Sequence, residues 1–143
     1  MNAALLFAAI SLGAPALKDR DSASQLYGLW EIEETTEEAR IRAIEQRDGP
    51  YYWRFNRDGT WQVFRGEKEV AERRNFQVNP KTDPASIDFN TPPRPKNSDL
   101  ILGIYKLEGD HLTICCSYPD RPRPTEFISA GGTYVQKLRR KKD

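Results

Sequence analysis

The chain has 143 residues, enough for one domain, and its 22 basic and 21 acidic side chains give a formal net charge of +1. This balance offers no electrostatic basis for binding nucleic acid or an anionic membrane surface. Its one histidine and two adjacent cysteines match no zinc or copper ligand spacing, and we expect neither a metal ion nor a cofactor.

The N-terminus resembles an export signal. Residues 1–16 are uncharged, with an apolar core over 3–12 followed by Ala-Pro-Ala, which is typical of a signal peptide with an A-x-A cleavage site. The run is shorter than the roughly 20 apolar residues of a membrane span. We therefore expect a mature domain of residues 17–143 in the periplasm or outside the cell. A floppy apolar N-terminus is the alternative, because no Lys or Arg precedes the core.

Short runs with strand-like alternation follow along the mature chain. In Gly28–Glu33, Trp30 and Ile32 alternate with glutamates, which is typical of a half-buried strand. Residues 38–45 alternate similarly but also suit a helical turn, so both interpretations remain open. Further strands are predicted at Val70–Val78, Ala85–Asn90, Glu126–Ala130 and Thr133–Arg139.

The runs Tyr51–Phe55 and Thr60–Phe64 flank an Asn-Arg-Asp-Gly sequence and predict a hairpin. A two-residue turn would misalign the aromatic side chains of the two strands. A three-residue loop that ends in Gly59, with this glycine as the left-handed bulge residue, places Phe55 opposite Trp61. The bulged loop is therefore the prediction.

A second hairpin is predicted between Ile101 and Cys116, with a Gly-Asp turn in its middle, because both residues tolerate positive φ angles. Its register places Leu107 opposite Leu112, Tyr105 opposite Ile114 and Gly103 opposite Cys116 on one face. Cys116 is then expected inside as a small apolar residue. Cys115 is expected on the outer face as an exposed thiol that forms a disulfide-linked dimer. The single histidine, His111, lies at the far end of the strand, which argues against a Cys–His catalytic pair.

Proline-rich stretches at 91–96 and 119–124 are predicted to be loops, because proline cannot donate to a sheet ladder. No helix longer than a turn or two is expected. About eight short strands joined by hairpin turns predict an all-β fold, an up-and-down antiparallel β-barrel.

Gly28-x-Trp30 at the start of the first strand is similar to the G-x-W signature of lipocalins. Four later segments resemble a family of exported lipocalin-like proteins expanded in planctomycete bacteria: residues 79–88, 102–110, 112–115 and 123–127. The resemblance covers residues 26–138, and Cys116 departs from it, since an apolar or aromatic residue is expected there. It implies a lipocalin-like barrel and export, and it implies no activity.

The resemblance also implies a structural role for Trp30. In lipocalins this tryptophan plugs the closed end of the barrel beneath a basic side chain from the last strand, here Lys137 or Arg139, with cation–π character. Separately, Arg123 and Glu126 invite a catalytic interpretation, but an ion pair that fixes the loop before the next strand is the preferred one.

Two functional hypotheses follow. The first is a non-enzymatic barrel that holds a small apolar or amphipathic molecule, with ligand-binding residues Tyr51, Trp53, Phe55, Trp61 and Tyr105. The alternative is a cell-envelope interaction module with a solidly packed barrel, which acts through its proline-rich loops at 91–97 and 118–124. An interior void of about 300 Å³ or more favours the ligand, and a filled barrel favours the interaction. No nucleophile, base and orienting group can be assembled, so an enzyme is not expected.

Overall fold

A computed structural model describes residues 23–35, 49–71, 73–90 and 100–142 of the chain. The expected signal peptide, the ambiguous segment 38–45 and the first proline-rich stretch lie outside these ranges. Expectations about these three segments therefore stay predictions.

The described residues form one antiparallel sheet that closes on itself. Its strands are β1 (Gly28–Thr35), β2 (Tyr51–Phe55), β3 (Thr60–Arg65), β4 (Lys68–Glu69), β5 (Arg74–Asn79), β6 (Ala85–Asn90), β7 (Ile101–Glu108), β8 (His111–Ser117) and β9 (Thr133–Lys141). The order is β2-β1-β9-β8-β7-β6-β5-β3-β4, and a further pairing of β2 with β3 closes the sheet. β4 and β5 pair with successive parts of β3, so the nine strands make an eight-stranded barrel. The predicted all-β, up-and-down barrel is confirmed.

The strand predicted at Val70–Val78 is partly wrong. β4 pairs with the end of β3, and the N–H of Val70 donates to the carbonyl of Val63 at 3.0 Å. Pairing with β3 resumes only at Arg74, which lies opposite Trp61. More residues lie between the paired positions on this strand than on β3, so the ladder is interrupted and the strand bends.

The strand predicted at Glu126–Ala130 is wrong, because these residues lie in the irregular connection between β8 and β9. Phe127 packs on the outside of the barrel against Ile104, Cys115 and Val135. The apolar residues of this segment thus cover the outer wall instead of extending the sheet. Alternation of apolar and polar residues does not distinguish these two situations.

Both predicted hairpin registers are confirmed. Phe55 lies opposite Trp61 across β2 and β3, and Gly59 in the connecting loop has φ of 86°. Across β7 and β8, the pairs are Leu107 with Leu112, Tyr105 with Ile114 and Gly103 with Cys116. Because directly opposed residues share a face, these registers determine which side chains point inward.

One end of the barrel is closed around Trp30, which is fully buried. Its indole N–H donates to the carbonyl of Leu26 at 2.8 Å, and the Arg140 guanidinium lies 4.3 Å from the ring centroid. Arg140 also donates to the carbonyls of Gln25 and Tyr27, at 2.6 and 3.1 Å. These contacts tie the N-terminal segment to the last strand.

The basic side chain over Trp30 was predicted to be Lys137 or Arg139, and this assignment is wrong. Arg140 lies directly opposite Trp30 in the β1–β9 ladder, so the two share the inner face. Arg139 points outward and pairs with Glu33 at 2.8 Å. The expected cover from the last strand is present, but one residue further along the chain.

Gly28, at the start of the same strand, has a φ of 117°, a conformation that favours glycine. A Cβ at this position would lie 3.6 Å from an Arg140 nitrogen. That distance is an ordinary van der Waals contact, so the glycine of the Gly-x-Trp sequence suits the local backbone and is not required by the arginine.

Replacement of Gly103 by alanine tests the β7–β8 register. A Cβ at Gly103 would lie 2.9 Å from the Cys116 sulfur and 3.0 Å from the Cys115 carbonyl oxygen. We expect Gly103→Ala to lower the free energy of unfolding by about 1–3 kcal/mol in chemical denaturation, because the site is overpacked. The control Lys106→Ala, at a side chain that is 52% exposed, should stay within about 0.5 kcal/mol of wild type. The opposite order of the two effects would contradict the register.

Candidate functional site

The aromatic residues predicted to bind a ligand form part of the barrel core. Trp53, Phe55, Trp61 and Tyr105 are between 1% and 7% exposed. Tyr51 is only partly buried and packs at the margin of the same core. Most of the predicted ligand-binding set is therefore enclosed.

The rings of three of these residues pack against one another and against two phenylalanines that were not predicted as site residues, Phe76 and Phe89. Trp53 meets Trp61 edge to face, with centroids 5.0 Å apart and an interplanar angle of 87°. The centroid distance is 4.9 Å between Phe55 and Phe76, and 4.8 Å between Trp61 and Phe89. Aromatic pairs in these geometries contribute about 0.5–1.5 kcal/mol beyond burial. We call these five residues the ring cluster.

Two buried polar atoms have no hydrogen-bond partner among the described residues: Nε1 of Trp61 and Oε1 of Gln136. Gln136 is only 5% exposed and lies opposite the core residue Ile114, so its side chain points into the barrel. An unpartnered buried polar group costs about 1–3 kcal/mol. Gln136 was not a predicted site residue, since a lone glutamine in a strand forms no recognisable motif.

Three clefts on the structure have volumes of about 300, 460 and 490 Å³, and none of the three is lined by the ring cluster. The largest is bounded by charged residues at the Trp30 end, among them Arg139 and Asp110. The second lies on the outer wall, beside Tyr52 and Phe64. The smallest is formed by the connection between β8 and β9, residues 118–132, which we call the β8–β9 loop.

Arg123 fixes the β8–β9 loop to the barrel. Its guanidinium donates to both carboxylate oxygens of Asp88, at 2.5 and 3.2 Å, and to the carbonyl of Gly103 at 2.8 Å. The predicted structural role of Arg123 agrees with these contacts, but the predicted partner is wrong. Glu126 is exposed, and the acid that pairs with Arg123 lies on β6, distant in sequence.

The two ends of the loop are held as well. The hydroxyl of Ser117 donates to the carbonyl of Pro122 at 2.5 Å. The hydroxyl of Thr133 donates to the carbonyl of Ile128 at 2.7 Å, and the Cys115 thiol donates to the same carbonyl at 3.5 Å. The loop is therefore bound to the barrel wall along its length.

This loop covers Cys115, which was predicted to be an exposed thiol and is fully buried. A strand at 126–130 would leave the outer face of β8 open to solvent, whereas the irregular loop folds over it, with Phe127 against Cys115. Burial also raises the pKa of the Cys115 thiol above its ordinary value. The disulfide-linked dimer through Cys115 stays a prediction, and it would require the loop to move.

Cys116 points into the barrel beside Gly103, as predicted, and is 1% exposed. Burial raises the pKa of its thiol from 9.0 to about 12. Only the thiolate is an effective nucleophile, so Cys116 is an inert core residue at neutral pH.

The exposed tip of the loop is a tight turn. The N–H of Arg121 donates to the carbonyl of Tyr118 at 3.2 Å, with Pro119 and Asp120 between them. Asp120 has φ of 67°, which, after a proline, matches a type II turn. Glycine is the usual residue there, so an aspartate stores local strain at this tip.

Two large apolar side chains in the β8–β9 loop are exposed, Tyr118 at 44% and Ile128 at 53%. The Tyr118 ring lies 5.1 Å from that of Tyr134, which limits its freedom. Ile128 lines the cleft of about 300 Å³ together with Arg121 and Glu126. The loop thus combines apolar, cationic and anionic groups around one small groove.

Over the described ranges, no group of three His, Cys, Asp or Glu side chains is placed to hold a metal ion. In the same part of the chain, no helix has the length and apolar character to cross a membrane.

A pH series tests the burial of Cys116. The thiol ionises near pH 9 in the unfolded chain but only near pH 12 in the folded one, so its contribution to stability is complete below pH 9. Above pH 9 it falls by about 1.4 kcal/mol for each pH unit. We expect the difference in free energy of unfolding between wild type and Cys116→Ala to shrink by about 2 kcal/mol from pH 7 to pH 10.5. The difference for Leu112→Ala, which removes no titrating group, should stay constant. A constant difference for Cys116→Ala would contradict its burial.

Thiol labelling tests the attachment of the loop. Arg123→Gln removes the contacts to Asp88 and Gly103, and with them part of the cover over Cys115. Hydrogen bonds to charged groups contribute about 1.5–3 kcal/mol, and solvent screening reduces this because the two side chains are 34% and 29% exposed. In a Cys116→Ala background, we expect Cys115 to react about tenfold faster with a thiol reagent, equivalent to about 1.4 kcal/mol. Arg121→Gln in the same loop should leave the rate unchanged, and equal rates for both variants would contradict the role of Arg123.

Comparison with known proteins found no family model that matches the chain, no similar curated protein and no similar solved structure. The fold is therefore established by the strand order and closure of the sheet, and the resemblance to exported lipocalin-like proteins stays a prediction.

Proposed function

We propose that the chain is a non-enzymatic, exported interaction module whose packed barrel presents the β8–β9 loop to a partner protein. The observation that carries this proposal is the exposure of Tyr118 and Ile128 on a loop that Arg123 fixes to the barrel. Large exposed apolar side chains beside a groove are typical of protein-binding surfaces.

The attachment of the loop supports this role energetically. A flexible loop must lose side-chain and backbone freedom on binding, which reduces the affinity. Here the bonds of Ser117, Arg123 and Thr133 order the loop in the free protein. Prolines at 119, 122 and 124 restrict it further, since each fixes its own φ angle. A partner therefore meets a surface that is already organised.

The ring cluster favours this function over binding inside the barrel. Trp53 and Trp61 are 6% and 7% exposed and contact each other, so a ligand at these rings would have to displace packed neighbours. In small barrels, side chains commonly fill the interior.

Binding of a small amphipathic molecule is the second candidate, and one observation favours it. Trp61 Nε1 and Gln136 Oε1 are a donor and an acceptor without partners inside the barrel. A hydroxyl-bearing ligand would satisfy either atom, and the resemblance to lipocalins points to the same function.

Photo-crosslinking distinguishes the two candidates. A photoreactive residue at position 118 or 128 should form the same adduct with one envelope protein, and excess unmodified protein should suppress it. The same residue at Lys81, at the opposite end of the barrel, is the control and should form no such adduct. In parallel, fatty acids, isoprenoids and aromatic probes should show no saturable one-to-one binding. Saturable binding with changed tryptophan emission, and no adduct at 118 or 128 above the control, would overturn the proposal in favour of the ligand.

A further inference from the structure

Arg121 lines the groove of the β8–β9 loop, and its side chain is exposed. Its N–H is used in the turn, and its side chain lies over Gly132, where an added Cβ would come within 3.5 Å of Nε and 3.6 Å of Cδ. These are ordinary van der Waals distances, so the stem of the arginine lies beside the Gly132 position. No ion pair involves Arg121 among the described residues, whereas Arg123 in the same groove is paired with Asp88.

The surroundings of Arg121 strengthen its attraction for an anion. The groove is lined by apolar groups of Pro122, Pro124, Ile128 and Ala130. Charges interact more strongly beside apolar protein than in open water. The planar guanidinium of an arginine can also form paired hydrogen bonds to a carboxylate. Glu126 lines the same groove but forms no ion pair with either arginine, so the positive charge of Arg121 is available to a partner.

The size of the groove limits what can occupy it. Its volume of about 300 Å³ lies at the lower end of the range of about 300–1,000 Å³ for ligand clefts. Such a groove accommodates a few side chains of an extended segment. The exposed Ile128 offers an apolar contact beside the charged one.

We infer that the partner binds through an extended segment that places an Asp or Glu carboxylate on the Arg121 guanidinium and an adjacent apolar side chain on Ile128. This inference rests on the proposed function, since it names the chemistry of the partner that the loop recognises. It assigns a specificity role to Arg121, whereas Arg123 positions the loop.

The test uses the full folded chain and an array of short peptides in matched pairs. In each pair, one peptide has Asp or Glu beside a leucine, and the other has Asn or Gln at the same position. Every peptide ends in an amide, so that no terminal carboxylate contributes to binding. For wild type, we expect the peptides with Asp or Glu to bind at least about tenfold more tightly than the matched peptides with Asn or Gln. The signal of Arg121 Nε in side-chain NMR spectra should shift on binding.

Two variants complete the experiment. Arg121→Gln should reduce the preference for acidic peptides to less than about twofold, with an unchanged thermal midpoint because the side chain is exposed. Lys81→Gln removes an exposed cation at the other end of the barrel and should leave the preference as in wild type. A preference that persists in Arg121→Gln, equal binding of acidic and amide peptides, or no peptide binding at all would overturn the inference. The proposed function fails separately, if crosslinking at 118 and 128 does not exceed the control.

Discussion

The packing of five aromatic rings inside one closed sheet is the constraint on which the rest of the structure depends. Trp53, Phe55 and Trp61 come from one hairpin, and Phe76 and Phe89 from the hairpin beside it. All five point inward, and their centroid separations of 4.8–6.4 Å leave the rings in mutual contact. Because these rings pack against one another, a ligand among them would have to displace core side chains.

The β8–β9 loop joins this core to the outer surface. It begins next to Cys116, whose side chain is in the core, and it folds back over Cys115, whose side chain is on the outer face. The arginine that fixes the loop reaches the carbonyl of Gly103, the residue whose missing side chain makes room for Cys116. The tight β7–β8 contact and the attachment of the loop therefore meet at one residue, Gly103.

Most of the fold was predictable from the sequence, because hairpin registers follow from local rules. The turn residues and the alternation of apolar side chains were sufficient for both hairpins. The cation over Trp30 was misassigned, since it depends on a β1–β9 register with a bulge between Ile32 and Glu34, which no local pattern reveals. The prediction of a strand at 126–130 was wrong because residues that cover the outside of a barrel can alternate between apolar and polar, as strand residues do.

The candidate site was less predictable, since it is built from contacts between residues far apart in sequence. The bond between Arg123 and Asp88 spans 35 positions, and the loop brings Arg121 beside Gly132. The most direct measurement of the central claim is crystallography under xenon pressure, because xenon enters apolar cavities that water leaves empty. A filled barrel predicts no xenon site among the rings of Trp53, Trp61 and Phe89. Ordered xenon among those rings would contradict the packed interior and with it the assignment of function to the loop.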